Sequence, residues 1–442
     1  MTEQSPRGRP RTPAPSTGPA PARVGTRRTG CLVLALALGA WLPALARAGA
    51  PGPEEPPPGL ARSTGTESPS SAPADPSLPP PAPERGRPDV APLPPAPVLD
   101  PSARWLDGDD ASEYWTLYVE LDSGHRISQR FLLTNAGPGE HTAVAVGHLT
   151  EPGRPPFRYE NGRREGSWTA SPDRLFFDIA ASHLDLHRPR GELRITKDEI
   201  EIRLFFDFPE RGGVAVPRDR LPPSYAIDVL AIASPTEGTI LAPWMTTPLA
   251  TRGRTWLAHT WMSRDEAELV DRRIDVYGSG AQGHFYGLQL VRGQGFERAW
   301  YVLRDRRGRA LDGGGNPPAS WQETWPAGGP RGSYPIPSLV RFSDLTRSGR
   351  IHLGSEWLRY DPLDVIPQPF QWFFRRKSRP QEVWADARIE VTVAPAPETP
   401  SLPQSGESES PTNSKRETED EAAHRSVTGV ASITFLNPSS GR

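Results

Sequence analysis

The folded part of this chain is predicted to be all-β, an antiparallel sandwich or barrel arrangement with few helices. Three observations predict it. Apolar and polar residues alternate with period two in many short runs, as in "EIEIRLFFDF", where Ile200, Ile202, Leu204 and Phe206 alternate with Glu201, Arg203, Phe205 and Asp207. Gly, Asn and Asp punctuate those runs, as in "YENGRREG" and "RDRRGRA". No convincing amphipathic helix separates them, as a parallel α/β fold would require; "RDEAELVDRR" has room for only about two helical turns.

Taken in order, the chain opens on what reads as an export signal, residues 1–48. "RVGTRRTG" supplies positive charge, "CLVLALALGAWLPALA" a short apolar run interrupted by Pro43, and Ala46-Arg47-Ala48 small residues for cleavage, so a mature chain is expected to begin near Gly49. Residues 49–102 read as a disordered linker. Eighteen prolines lie in 51–101, with too little apolar area to offset the entropy of ordering. Twelve of the 13 Trp lie between Trp105 and Trp384, and all nine Tyr between Tyr114 and Tyr360. Aromatic side chains mark where a core can form, which sets the folded part at 103–396. Its strands begin with "WTLYVELD", which puts Trp115, Leu117, Val119 and Leu121 on one face, followed by "RISQRFLL", "TAVAVGHL" and "EIEIRLFFDF". Then come "GHFYGLQLVRG", "RAWYVLRD", "RIHLGSEWL" and "ARIEVTVAP". A break at "AIASPTEGTI" divides the folded part into two halves, 103–236 and 237–396. Residues 397–442 read as a disordered tail in which "SVTGVASITFLN" could add an edge strand.

Composition excludes several functions. The net charge of −2 gives no electrostatic footprint for nucleic acid. The single cysteine, Cys31, lies in the segment expected to be removed, so the mature chain would have no disulfide, thiolate metal site or cysteine nucleophile. No P-loop, GxGxxG, GxSxG or HExxH pattern occurs, and no cofactor is expected. "HLDLH" places His183, Asp185 and His187 on one strand face, but no fourth ligand accompanies them and no metal is expected.

The run "EYWTLYVELDSGHRISQRFLLTNAGPGEHTAVAVGHL" resembles the opening of the lipocalin-like proteins related to carotenoid hydratases (hydroxyneurosporene synthase), AttH-type proteins and fungal survival-factor proteins. The matching pieces are Tyr114-Trp115, the turn Asp122-Ser123-Gly124, and Gln129 ahead of an apolar run. "GRTWLAHTWMS" resembles the aromatic–His–aromatic strand that opens the second half of those proteins, with Thr260 where they often carry an acidic residue. The resemblance implies two tandem antiparallel lipocalin-like barrels over 103–393 and an apolar or isoprenoid ligand.

The candidate site centres on that second strand. Leu257, His259 and Trp261 share one face, and Trp256, Ala258, Thr260 and Met262 the other. Both faces are apolar, so cover on both sides is expected. His259 is either a polar group in an aromatic-walled cavity or a core histidine satisfied by backbone or by Asp265. In "GHFYGLQL", His284 and Tyr286 share a face, and either could approach His259 if the strands are neighbours. His259 and Trp261 are expected to face the interior of the second half, with Trp244, Trp256, Trp261, His284 and Tyr286 as ligand-binding candidates.

Three functions compete. An exported barrel could bind an apolar small molecule or lipid, periplasmic or extracellular and compatible with peripheral membrane contact; this needs no catalytic group. A carotenoid hydratase-like enzyme would add water to an isoprenoid double bond by protonation through a carbocation. It would need an aromatic wall, supplied by Trp256, Trp261 and Tyr286, and a buried acid, Asp265 or else Asp275, with His259 beside it. A carbohydrate-binding sandwich would need exposed Trp faces, whereas these Trp lie mostly in apolar strands.

Overall fold

The computed structural model describes residues 98–436 apart from 136–140, 164–166, 172–174, 198, 211–212, 294–295, 310–319, 325–333, 335, 344–346, 366–374, 376–377 and 394–422. The expected signal segment and nearly all of the Pro-rich linker lie outside these residues.

The chain forms two curled antiparallel sheets with almost no helix, in line with the period-two alternation. The first sheet contains β1 (Ser112–Leu121), β2 (Arg126–Thr134), β3 (Thr142–Thr150), β4 (Phe157–Arg163), β5 (Thr169–Ala170), β6 (Leu175–Ile179), β7 (Ser182–His187), β8 (Arg190–Lys197), β9 (Ile200–Asp207), β10 (Val214–Ala215), β11 (Tyr225–Leu241) and β12 (Leu249–Met262). Its path runs β4-β3-β2-β1-β12-β11-β9-β8-β7-β6-β5, with β10 paired beside it to β11. The second contains β13 (Arg272–Gly280), β14 (Gly283–Arg292), β15 (Phe296–Arg304), β16 (Ser320–Thr324), β17 (Leu339–Ser343), β18 (Arg347–Tyr360), β19 (Gln381–Val393) and β20 (Ala423–Phe435). Its order is β15-β14-β13-β20-β19-β18-β17-β16.

Alternation decides which core each residue joins. Trp115, Leu117, Val119 and Leu121 of β1 point into the first curled sheet, with Phe131, Phe177, Leu204 and Leu257. Ile274 and Val276 of β13 point into the second, with Phe285, Ile389 and Ile433. The opposite faces are also apolar and meet each other: Tyr114, Tyr118 and Trp256 from the first sheet pack with Tyr277, Tyr286, Trp300 and Trp384 from the second. This aromatic layer is close, with Tyr118 centred 5.4 Å from Trp256 and 5.2 Å from Tyr277. Deleting one such ring typically costs about 3–5 kcal/mol, so the layer binds the halves into one unit.

Three boundaries differ from the sequence reading. The first half does not stop at 236, because β11 and β12 both belong to the first sheet and the change of sheet falls after Met262. The apparent break "AIASPTEGTI" is a bulged stretch of β11, with register shifts between Val229 and Ala231 and between Ala231 and Ser234. Pro235 and Gly238 read as turn signals, but in a bulged strand Pro is tolerated, and Gly238 lets the backbone of β9 come so close that a Cβ would meet the Arg203 carbonyl oxygen. The linker ends before 102, since Leu99 is buried in the first core and the Pro101 carbonyl accepts a hydrogen bond from Trp115 Nε1 at 3.1 Å. Finally, the tail does not extend unbroken from 397 to 442: β20 lies between β13 and β19, in the middle of the second sheet rather than at an edge. Val427, Ala431, Ile433 and Phe435 fill the second core from it, and Gly429 permits close approach to Tyr277.

Candidate functional site

β12 pairs with β1 in a register that sets Trp115 opposite His259 and Glu113 opposite Trp261. The diagonal neighbours Glu113 and His259 therefore share a face. His259 Nε2 lies 2.7 Å from Glu113 Oε1. The two Glu113 oxygens also accept the backbone N–H of Arg104, at 2.8 and 2.9 Å. The imidazole is stacked on Trp115, with centroids 4.4 Å apart, and is 4.8 Å from Trp261. It is fully buried. Burial holds its pKa below the ordinary histidine value, against the pull of Glu113. Asp228 stands across from it on β11, its own pKa raised by burial. The carboxylate partner thus comes from a distant strand rather than from the next residue in the chain.

This arrangement corrects the expectation that His259 and Trp261 face the second half. They belong to the first sheet and lie on the inward side of β12, while His284 and Tyr286 lie in the second sheet. Trp261 is held between the guanidinium groups of Arg104 and Arg218, 4.9 and 5.2 Å from its ring. Trp244 packs at the first core against Phe157, under Arg154. Trp256 faces the other way into the aromatic layer, donating to the Phe285 carbonyl at 3.3 Å. His284 sits at the start of β14 with Nδ1 3.0 Å from Ser279 Oγ. Burial, with Arg254, depresses its pKa to about 4. Asp265, the proposed acid, caps a single helical turn, Glu266–Leu269, by accepting the Ala267 N–H at 3.0 Å. The residues are therefore not gathered in one pocket.

Tyr286 and Asp275 join a buried polar network between the sheets. Arg273 grips Asp275 with two hydrogen bonds, 2.6 and 2.8 Å, and Tyr286 donates to the same carboxylate at 2.7 Å. Arg273 Nη1 also donates to the hydroxyls of Tyr114, Tyr225 and Thr260, and both tyrosines donate to Glu266. Burial pushes the Tyr286 hydroxyl well above the ordinary tyrosine value. Arg273 is paired with Asp275 and Glu266 accepts from both tyrosines, so the network ties residues of the two sheets together.

A cleft of about 370 Å³ opens where β3 and β4 of the first sheet meet β18 of the second. His148, Pro156, Arg158, Glu356, Trp357, Leu358, Arg359 and Tyr360 line it. Two bulges in β18, between Leu353 and Glu356 and between Glu356 and Leu358, shift its register and bring Tyr360 opposite Glu382. Bulges commonly re-aim side chains in this way next to functional sites. His148 is only 3% exposed, with its ring 4.5 Å from Tyr360. Its Nδ1 lies 3.4 Å from Ser128 Oγ, and its Nε2 has no hydrogen-bond partner among the described residues. Burial, reinforced by Arg158 and Arg130, depresses its pKa to about 3. Behind it Arg130 forms an ion pair with Glu382 at 3.1 Å. None of the cleft residues stood out in the sequence. The available signal was His148 itself, a titratable group inside the apolar run "TAVAVGHL".

Two curled antiparallel sheets joined across an aromatic layer define a lipocalin-like architecture. Among solved structures, the chain is similar to a protein assigned as AttH from Nitrosomonas europaea, with TM-score 0.51 and 12% identity over 78% of this chain and 99% of that one. It is also similar to kievitone hydratase from Nectria haematococca, with TM-score 0.44 and 10% identity over 78% and 94% of the two chains. A third similar structure is CghA with Sch210972, with TM-score 0.48 and 12% identity over 79% and 96%. No protein-family model matches the chain, and no curated protein does. The AttH likeness is one of fold.

Proposed function

We propose that this lipocalin-like protein binds an apolar small molecule or lipid in the cleft between its two halves. The observation that carries the reading is the buried, unpartnered Nε2 of His148, a residue that lines that cleft with Trp357 and Tyr360. Burying a chain there is favourable by about 0.8 kcal/mol per CH₂, and one or two polar groups suffice to orient it. A hydratase reading needs a free buried acid; Asp265 is occupied as a helix cap, and the buried Asp275 is tied to Arg273 and Tyr286. Binding is therefore the function the geometry favours. The same proposal has the protein exported, with the mature chain beginning near Gly49, and N-terminal sequencing of the secreted form checks it; an intact N-terminus on cytoplasmic protein refutes export.

Displacement of the apolar dye Nile red tests the site. Trp357→Ala is expected to weaken dye binding about tenfold, the loss of roughly 1.4 kcal/mol, while Trp244→Ala leaves it near the parent value. The reverse result would move the ligand to the first half and end the cleft reading.

A further inference from the structure

Ion pairs account for the charges around the cleft. Arg158 Nη2 lies 3.0 Å from Glu160 Oε2, Arg359 Nη2 lies 2.6 Å from Glu356 Oε2, and Arg130 is paired with Glu382. The Tyr360 hydroxyl is hydrogen-bonded to Glu382. The carboxylates near the cleft are therefore already ion-paired, and a ligand bringing a cation would find their charge taken.

The nitrogen groups are in the opposite condition. Among the described residues, His148 Nε2, Trp357 Nε1 and Arg158 Nε are all buried and without a hydrogen-bond partner. They belong to three side chains that line the same cleft. An indole or guanidinium nitrogen of this kind can only donate. In the neutral tautomer in which Ser128 donates to His148 Nδ1, Nε2 is a donor as well. The depressed pKa of His148 agrees with a neutral ring. Leaving a buried donor unmade costs about 1–3 kcal/mol, so His148 and Arg158 on the first-sheet side and Trp357 on the β18 side leave a local deficit of acceptors around the cleft. The rings around them are fixed from behind. Arg158 lies over Tyr360 and Arg126 over Trp357, each 5.5 Å from the ring centre, and Trp357 packs 5.6 Å from Trp384.

We infer that the cleft takes a carboxylate-bearing apolar molecule, whose two oxygens accept from His148 Nε2, Trp357 Nε1 and Arg158 Nε while its chain lies against Leu358 and Pro156. A carboxylate offers about four acceptor positions and no donor, which matches the imbalance around the cleft. Hydrogen bonds to a charged acceptor are also roughly twice as strong as neutral ones. This inference rests on the cleft being the ligand site, and it adds the head group.

The test compares three ligands of equal chain length, decanoate, decanol and decylamine, by isothermal titration against the full chain at pH 7.5. Decanoate is expected to bind at least about tenfold more tightly than decanol, with decylamine weakest, in keeping with one or two charge-assisted hydrogen bonds. Trp357→Phe keeps an aromatic ring, smaller than the indole, and removes the N–H, and the acid-to-alcohol ratio separates the two effects because both ligands share the chain. This variant is expected to reduce the ratio of acid to alcohol affinity about tenfold, and His148→Phe to do the same. Equal affinity for acid and alcohol, with the ratio unmoved in both variants, overturns the carboxylate assignment and leaves the apolar cleft standing. Failure of all three ligands to bind overturns both.

Discussion

Two buried histidines divide the molecule's chemistry between them. His259 and His148 each have one ring nitrogen near a partner and one without among the described residues. They differ in what surrounds the ring. His259 lies between Trp115 and Trp261 and meets a carboxylate that also anchors the backbone of Arg104. His148 borders a cleft and meets only a serine hydroxyl, with Arg158 and Arg130 adding to the effect of burial on its pKa. At His259 the carboxylate works against desolvation; at His148 the neighbouring charges work with it. At His259 the environment supplies a carboxylate partner, and at His148 it supplies none.

The comparison can be broken most directly at Glu113. Glu113→Ala removes the acceptor of His259 and of the Arg104 N–H together, and leaving buried donors unmade costs about 1–3 kcal/mol. Urea unfolding is expected to show a loss of that size while dye binding at the cleft persists at concentrations where the variant stays folded. A loss below about 1 kcal/mol would mean that the His259 pair is not structural.

The second expected effect is in pH dependence. The folded pKa of His148, about 3, lies below the unfolded histidine value of about 6.5. Its contribution to stability is therefore complete above the unfolded value and is lost as pH falls from there toward the folded one. In that window the unfolded chain binds a proton that the folded chain refuses, with a slope of up to about 1.4 kcal/mol per pH unit. His148→Phe should flatten the fall in stability between about pH 6 and pH 4 by up to one such slope, and unfolding curves at stepped pH values measure it. An unchanged slope would mean that His148 takes up its proton in the folded state as readily as in the unfolded one.

Smaller effects sharpen the contrast. Asp265→Ala removes a helix cap and is expected to cost about 1 kcal/mol in thermal unfolding, with no change at the cleft. A large loss of ligand binding in that variant would restore Asp265 as a site residue.

The strands and the faces they bury were legible because they depend on local alternation. Trp115, Leu117, Val119 and Leu121 needed nothing beyond their own spacing to be placed together. The boundary at 236 was not legible. Pro235 and Gly238 mark turns in most contexts, and only the register with β12 and β9 reveals a bulge. The sites were harder still. Glu113 reaches His259 through a strand pairing between segments far apart in sequence, and the cleft needs β3 and β4 from one half and a bulged β18 from the other. Thr260 drew attention as the position after the histidine, yet it points to Arg273 in the network between the sheets. Parity along the strand was readable, but the identity of the neighbour on each side was not.

The position of β20 has a consequence for biosynthesis. Arg272 pairs with Phe435 and Gly278 with Gly429, so β13 waits for a partner that lies beyond every other strand of its sheet in the sequence. The first sheet is different: its most distant pairing, Ser112 with Met262, can form while the second half is still being translated. During elongation the β13–β15 hairpins and the β16–β19 strands are two fragments with bare facing edges, and such edges recruit other strands. The 13 residues of β20, Ala423–Phe435, supply the strand that joins the fragments. Until that strand is in place the second half keeps two open strand edges, on β13 and β19, beside a first sheet that needs nothing from it to pair.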